Sequence, residues 1–493
     1  MIKKRISKSQ YTRGLQCVKS LWLYNYRKDL MPEVSPGQQA IFDTGHEVGD
    51  LARKYYKGGR LIAQDHNDIA GALAETQKLI ADGVEILYEA TFQAKDILVR
   101  CDIIKKVGRS WHLIEVKSST AVKEEHLPDI AIQKYVMQAA GLKVSKAFLM
   151  TIDNTFVKKG PIDPRKFFKL DDLTELTEDA EACIPGNLKT FFAVLSNEKK
   201  EPKVDIGGCC STPYPCDFAG YCWKDIPAYS VYNLPYLKAE IKDQLRKRGI
   251  LKLKDVPADI ALSSKAEDMV RVAKSGKPII KKEEIKDFLG ALEYPLYHVD
   301  FETINPAIPL YDGLRPYQQM PFQVSLHMQT APGRAVKHFE YLADATKDPR
   351  TDIINFLLAN IGPKGTPLAY NASFEKMVIK GVAEFSAKHR KALEKLVDRF
   401  VDLAAPFRSR ALFLPEFEGS YSIKAVLPAL IPDMSYDGMP VANGGDAQNA
   451  YKALLSGTLS PAETAALRKD LIAYCRQDTL AMVKVLDHLS TMA

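Results

Sequence analysis

The stretch "YPLYHVDFETINPA" (residues 294–307) sets two acids into a segment that otherwise reads as a strand entering a core. Strand side chains alternate, so Asp300 and Glu302 share one face while Phe301 packs on the other. Buried carboxylates are costly unless they are paired or bind metal. A lone D-x-E pair is common on solvent-facing strand edges, so its meaning depends on what the rest of the chain brings to it. Downstream lie strand "PFQVSLHMQT" (321–330), strand "AVKHFEYLA" (335–343), helix "DIINFLLANI" (352–361), strand "PLAYN" (367–371), then helices to the end. That order predicts an α/β sheet layer flanked by helices.

Two later features bear on the pair. In "ETAALRKDLIAYCRQDTLAMVKVLDHL" (463–489), Leu467, Leu471, Tyr474, Asp478, Met482 and Val485 recur every three or four residues and form one helical face. Asp478 interrupts that apolar stripe one turn after Tyr474, where an acid needs a cation or hydrogen bonds. In "PLAYNASFEKMVI" (367–379) a strand ends at Asn371 and a helix carrying Glu375 begins. Asp402, in "RFVDLAAPF", competes with Glu375 as a ligand but also reads as a cap or ion-pair residue. Ser422 and Lys424, in "EGSYSIKAVLP", read either as phosphate contacts or as a helix start with its solvated face.

In this order the pieces resemble the three motifs of the DnaQ-like, DEDD exonucleases in their tyrosine subtype. The resemblance implies a ribonuclease-H-like domain over residues 290–493, with Asp300, Glu302, Glu375 and Asp478 binding two Mg²⁺ or Mn²⁺ ions. It also implies that Tyr474 positions the attacking water. Glu375 stands where that group usually has aspartate. Two such ions clamp the attacking and leaving oxygens of a phosphodiester displacement.

The N-terminal region, residues 1–228, holds a second constellation. "DILVRCDIIKKV" (96–107) and "WHLIEVKSST" (111–120) read as a hairpin turning at Gly108-Arg109-Ser110. Glu115 and Lys117 share a face, and Asp102 on the first strand can meet Glu115. Two carboxylates hold a hard divalent cation, and the lysine orients or activates water. An E-x-K pair alone is usually a solvated surface pair. The next helix, "PDIAIQKYVMQAAG" (128–141), adds Gln133 and Tyr135. Together these residues resemble the RecB-like branch of the PD-(D/E)XK nucleases: Asp102, Glu115 and Lys117 match its D…E-x-K core, and Gln133 with Tyr135 its Q-x-Y helix. That branch often adds an early histidine ligand. His46 and Glu47, in "DTGHEVGDLARKYY" (43–56), offer one or else form a polar helix face.

Seven of the eight cysteines lie in residues 1–228. Cys210, Cys216 and Cys222 crowd the loop-like "CCSTPYPCDFAGYC" (209–222), and Cys17 lies far upstream. Four thiolates hold either tetrahedral zinc or an iron–sulfur cluster, and spacing does not separate the two. One early cysteine plus three near the domain's end resembles the iron–sulfur RecB-like nucleases. That resemblance implies a 4Fe-4S cluster on Cys17, Cys210, Cys216 and Cys222, with Cys209 the ambiguous neighbour of Cys210. Cys101, Cys183 and Cys475 read as packing residues.

Between the two regions, residues 229–289 are helical and strongly charged, and read as a connector. No stretch approaches eighteen uninterrupted apolar residues, and the basic N-terminus lacks the apolar region of a signal peptide, which leads to the expectation of a cytoplasmic protein. A net charge of +7 on 68 basic and 61 acidic residues is compatible with nucleic-acid binding without arguing for it. The expected fold class is α/β in two domains, a restriction-endonuclease-like core and a ribonuclease-H-like domain. The pairing resembles a prokaryotic family that fuses these two domains. It implies a metal-dependent nuclease, and the expected substrate is single-stranded or frayed nucleic acid, DNA ahead of RNA. The competing class is a nucleic-acid-binding scaffold with one or both sites inactive.

Overall fold

In the N-terminal region the two strands read as a hairpin do form one, with a third strand ahead of them. β1 (Ile86–Ala94), β2 (Ile97–Val107) and β3 (Ser110–Val116) pair antiparallel in sequence. Ahead of them run α1 (Lys8–Gln16), α2 (Val18–Tyr26), α3 (Pro36–Arg53) and α4 (Ile69–Ala81). After β3, α5 (His126–Ala139) crosses over to β4 (Val144–Ile152), which lies parallel to β3. β5 (Phe168–Asp172) and α6 (Glu178–Leu195) come next. Two-residue strands at Ile6–Ser7 and Arg60–Leu61 complete a seven-stranded mixed sheet.

Both sheet faces are buried. Leu87, Val99, Cys101 and Leu113 pack with Ile130 and Ala131 of α5. Tyr88, Ile103 and Ile114 pack on the other side, with Val48 and Ala52 of α3. Cys101 and Ile103 therefore face opposite ways although two residues apart, so the alternation slips at Asp102. Across from it Glu89 has φ +58°, a left-handed conformation uncommon for such a residue. Irregularities of this kind re-aim side chains at sites. β3 ends at Val116, earlier than the expected strand, so Lys117 lies just beyond it.

The computed structural model describes residues 5–492, and the chain divides there into two compact units. The first holds the chain through Asp225 together with Pro306–Tyr317; the second holds Ile226–Asn305 and the chain from Gln318 onward. The stretch 229–289, expected as a connector, thus belongs to the second unit. It folds as α7 (Ala239–Lys247), α8 (Ser264–Ser275) and α9 (Lys282–Gly290), and Ile279–Ile280 pairs with Leu412–Phe413. The reason is packing: Leu245, Met269, Val272 and Ile285 are buried.

The second unit's sheet has the order β8 (Lys337–Leu342), β7 (Met320–Gln329), β6 (Leu296–Ile304), β9 (Thr366–Ala369), β10 (Val401–Asp402). The first two pairings are antiparallel and the last two parallel. Tyr297, Val299 and Phe301 of β6 face a core with α10 (Arg350–Asn360), α11 (Ser373–Phe385) and α12 (Arg390–Arg399). The opposite face carries His298, Asp300 and Glu302 toward α15 (Pro461–Met492), with α13 (Ile423–Leu430) and α14 (Gly444–Leu455) beside it. Among the described residues no helix is long and apolar enough to cross a membrane.

Candidate functional site

Three groups of side chains stand out, one in the second unit and two in the first. α15 delivers Tyr474, Cys475 and Asp478 within about one turn onto the face of β6 that carries Asp300 and Glu302. Glu375 arrives from the first turn of α11. The chain reverses between β9 and α11 at Asn371, whose φ of +73° is one that asparagine tolerates at small cost. Glu302, Glu375 and Asp478 are 6, 3 and 8% exposed.

Charge and burial act together here. Burial first, then Asp478, Glu302 and Glu375, push the Asp300 carboxyl well above the ordinary range. Burial, then Asp478 and Glu375, raise Glu302 to about 8, and burial with Asp402 raises Glu375 to about 8. Asp478 rises less, to about 6: burial lifts it while a 2.6 Å hydrogen bond from the Tyr436 hydroxyl and the charge of Lys424 hold it down. Glu375 Oε2 is buried and makes no hydrogen bond. Four crowded carboxyls, one with an orphaned oxygen, form a donor set that a divalent cation satisfies.

Asp402 is engaged elsewhere. Its Oδ1 accepts from the backbone N–H groups of Asn371 at 2.8 Å and Ala404 at 2.9 Å, and its Oδ2 pairs with Arg408 at 2.8 Å. Ser422 occupies the N-cap position of α13 without a capping bond. Lys424 is exposed, but its ammonium sits over the rings of Tyr436 and Tyr474, at 5.4 and 5.7 Å, and donates to the Ala442 carbonyl at 2.6 Å. Cys475, expected as packing, is buried against the acids, its Sγ 3.6 Å from Asp300 Oδ2. Among the described residues, Asp300, Glu302 and Cys475 are the group whose ligand atoms all lie within 4.8 Å of one another.

In the first unit the strand register sets Glu89, Asp102 and Glu115 in a row across β1, β2 and β3. Asp102 Oδ2 accepts from the Val116 N–H at 2.7 Å, yet burial and then Glu115 raise its carboxyl to about 8. Burial works on Glu115 too, but Lys117 and Lys8 override it and hold that carboxyl low. Lys117 Nζ lies 2.7 Å from Glu115 and 2.5 Å from Asp129; Lys8 Nζ lies 2.8 Å from Glu115 and 3.3 Å from Asp129. Gln133 Nε2 donates to Glu115 Oε2 at 2.8 Å. The Tyr135 hydroxyl instead accepts from Lys95 at 3.0 Å, outside this network. His46, Glu89, Asp102 and Lys117 line one open cleft; Glu47 is exposed and is not among its lining residues.

Sequence reasoning missed Lys8, Glu89 and Asp129. Glu89 carried a usable signal, an acid interrupting an apolar strand, the same signal that exposed Asp478.

The cysteines gather around a third position. Cys17 breaks the helix between α1 and α2 in an extended conformation. With Cys209, Cys210, Cys216 and Cys222 it lines a single cavity walled by Leu23, Phe218 and Ile206. Gln16 Nε2 donates to the carbonyls of Cys209 at 2.8 Å and Tyr214 at 2.7 Å, which ties the loop to α1. Burial, then Cys17 and Cys210, push the Cys209 thiol to about 12, so Cys209 shares the cavity with the four expected ligands. All eight cysteines are free. Cys101 is buried as expected, whereas Cys183 is exposed on α6 and is not a packing residue.

Residues 297–422, which include Asp300, Glu302 and Glu375, match the family described as "Domain of unknown function (DUF2779)". The chain is 26% identical over 220 residues to "Uncharacterized protein UU173" of Ureaplasma parvum, covering 40% of this chain and 32% of that protein. It is 25% identical over 240 residues to "Uncharacterized protein MG366 homolog" of Mycoplasma pneumoniae, covering 45% and 36%. The matches span about a third of the length of these relatives.

Proposed function

We propose that the protein is a metal-dependent nuclease with two active sites, acting on single-stranded or frayed ends of nucleic acid, DNA ahead of RNA. The observation that carries this reading is the meeting of four carboxyls from three separate elements, the buried Glu302, Glu375 and Asp478 and the half-buried Asp300. In the 3′–5′ exonuclease reading these acids hold Mg²⁺ or Mn²⁺. Ions bound there supply positive charge to the attacking and leaving oxygens of the phosphodiester. The Tyr436 hydroxyl fixes Asp478, and Tyr474, one turn earlier on α15, orients the attacking water. Glu375 takes the ligand role because Asp402 is committed to the turn at Asn371.

At the N-terminal site Asp102 and Glu115, with Glu89 and His46 beside them, form the metal-holding set of a RecB-like nuclease. Lys117 supplies the donor to water or phosphate, and Gln133 fixes Glu115. Cys17, Cys210, Cys216 and Cys222 hold a 4Fe-4S cluster that staples α1 and α2 to the 209–222 loop. Thiols around one apolar-walled cavity suit the donor chemistry of such a cluster.

The test is digestion of end-labelled DNA and RNA with Mg²⁺ or Mn²⁺. Cleavage lost in Asp300→Ala and retained in Lys117→Ala assigns it to the C-terminal site, and the reverse pattern to the N-terminal site. Tight nucleic-acid binding by protein that never cuts overturns the enzyme reading in favour of a binding scaffold.

A further inference from the structure

The C-terminal site contains one donor that magnesium chemistry does not use. Cys475 is fully buried, and its sulfur approaches Asp300 Oδ2 at 3.6 Å and the Asp300 carbonyl at 3.9 Å. Sulfur and one oxygen each from Asp300 and Glu302 lie within 4.8 Å of one another, a spacing for donors around a single ion. The buried Glu375 Oε2, which makes no hydrogen bond, borders the same acids. Hard Mg²⁺ has little use for sulfur, whereas Zn²⁺ and Cd²⁺ bind thiolate together with carboxylate.

We propose that Cys475, Asp300 and Glu302 form a binding site for a thiophilic divalent cation, which displaces the catalytic ions and switches the C-terminal site off. The inference rests on the nuclease reading only for the switching; binding itself does not require turnover. When the ion enters, the Cys475 S–H bond breaks, an S–metal bond forms and the proton leaves to solvent, with no change of oxidation state. The buried sulfur suits tight retention, because a thiolate–metal bond there is shielded from water.

Cadmium is the probe. Full-length protein, carrying whatever its N-terminal cysteines hold, is titrated with Cd²⁺ while the thiolate-to-cadmium charge-transfer absorption is tracked. Cys475→Ser and Cys475→Ala are titrated in parallel, and thermal unfolding shows whether each variant is folded. The expected result is one more equivalent of thiolate-bound cadmium in the wild type than in either variant, and loss of that equivalent in Asp300→Asn. Zinc should then inhibit Mn²⁺-dependent cleavage at a concentration at least about tenfold lower in the wild type than in Cys475→Ser, the scale on which ligand surroundings act on metal affinity. Identical cadmium titrations in the wild type and the folded Cys475 variants overturn the proposal even if the protein cuts DNA. An extra equivalent in protein that cuts nothing supports the binding site and removes the nuclease reading, so the two failures are distinguishable.

Discussion

Lys424 shows what a single residue adds once the fold is known. In sequence it is one lysine at a helix start. In the folded chain its ammonium is held by the Ala442 carbonyl over two tyrosine rings, and its charge lowers the proton affinity of both Glu302 and Asp478. A cation beside carboxylates that bind metal competes with the metal and can itself contact phosphate. We therefore expect Lys424→Met to bind Mn²⁺ more tightly while its kcat falls by about a hundredfold, the lower end of what a lost charge-stabilising donor costs. Lys424→Arg should recover part of the rate. Calorimetric Mn²⁺ titration with single-turnover cleavage measures both, and equal metal affinity in wild type and Lys424→Met would remove Lys424 from the site. Legibility differed among neighbours for physical reasons. Asp478 was readable because a charge broke an apolar stripe, whereas Cys475 was not, because a thiol in the same stripe is indistinguishable from packing. Glu375 could be preferred over Asp402 on structural grounds only once Asp402 was seen capping a turn.

At the level of elements, strand register brings together residues that sequence separates. His298 of β6, His327 of β7 and His338 of β8 stand side by side, each paired across its neighbour. His327 Nδ1 and Thr479 Oγ1 of α15 are 2.8 Å apart, Thr479 and Ser325 hydroxyls 2.8 Å, and Ser325 Oγ and His338 Nε2 3.0 Å. This polar seam fastens α15, and with it Asp478, to the sheet. None of it was legible beforehand, because a pairing offset is a tertiary fact, although the strands themselves were readable from alternation. Burial, then His338 and Arg476, press His327 to about 4, and burial also lowers His338. A histidine whose folded pKa is depressed stabilises fully above its unfolded value of about 6.5 and loses that contribution as pH falls toward the folded one. Glu302 and Glu375 act in the opposite sense. Their folded values of about 8 lie above the unfolded ones, so their contribution is lost as pH rises through that value. Above about pH 6.5 the histidines are silent and the carboxyls act alone. The unfolding midpoint of metal-free protein should therefore fall between about pH 6.5 and about 8. Mn²⁺ should suppress that fall, and His327→Gln should leave it in place. A midpoint flat across this window without metal would mean the acids are not crowded in solution.

For the whole molecule, the first unit is not one continuous stretch of chain. Composition and motif order predicted a break near residue 228, and the first unit does end at Asp225. The segment Pro306–Tyr317, which begins just after β6, nevertheless belongs to that unit. Ala307 is buried, and Ile308 and Tyr317 are half-buried, in the cluster that holds Ile103, Ile114, Met150 and Phe167. The Tyr317 hydroxyl donates to the carbonyl of Ser118, the residue after Lys117, and Asp312 pairs with Lys158 at 3.0 Å. The segment lacks the periodicity of a helix or strand, so nothing in its pattern announced where it would pack. Its contribution comes from its side chains: a large apolar residue fully buried is worth about 1.5–3 kcal/mol and a buried methyl about 0.8, so Ala307 with two half-buried large side chains comes to roughly 2–4 kcal/mol. A protein cut at residue 225 should then keep its sheet but expose the surface around Met150 and Phe167. We expect it to unfold at lower denaturant than the first unit of the full chain, to bind a hydrophobic dye, and to regain stability when residues 306–317 are fused back through a flexible linker. Denaturant unfolding monitored at Trp111, which is buried in this unit, measures the difference. Equal midpoints with and without the segment would show that the first unit is complete at Asp225 and that the 306–317 loop merely rests on it.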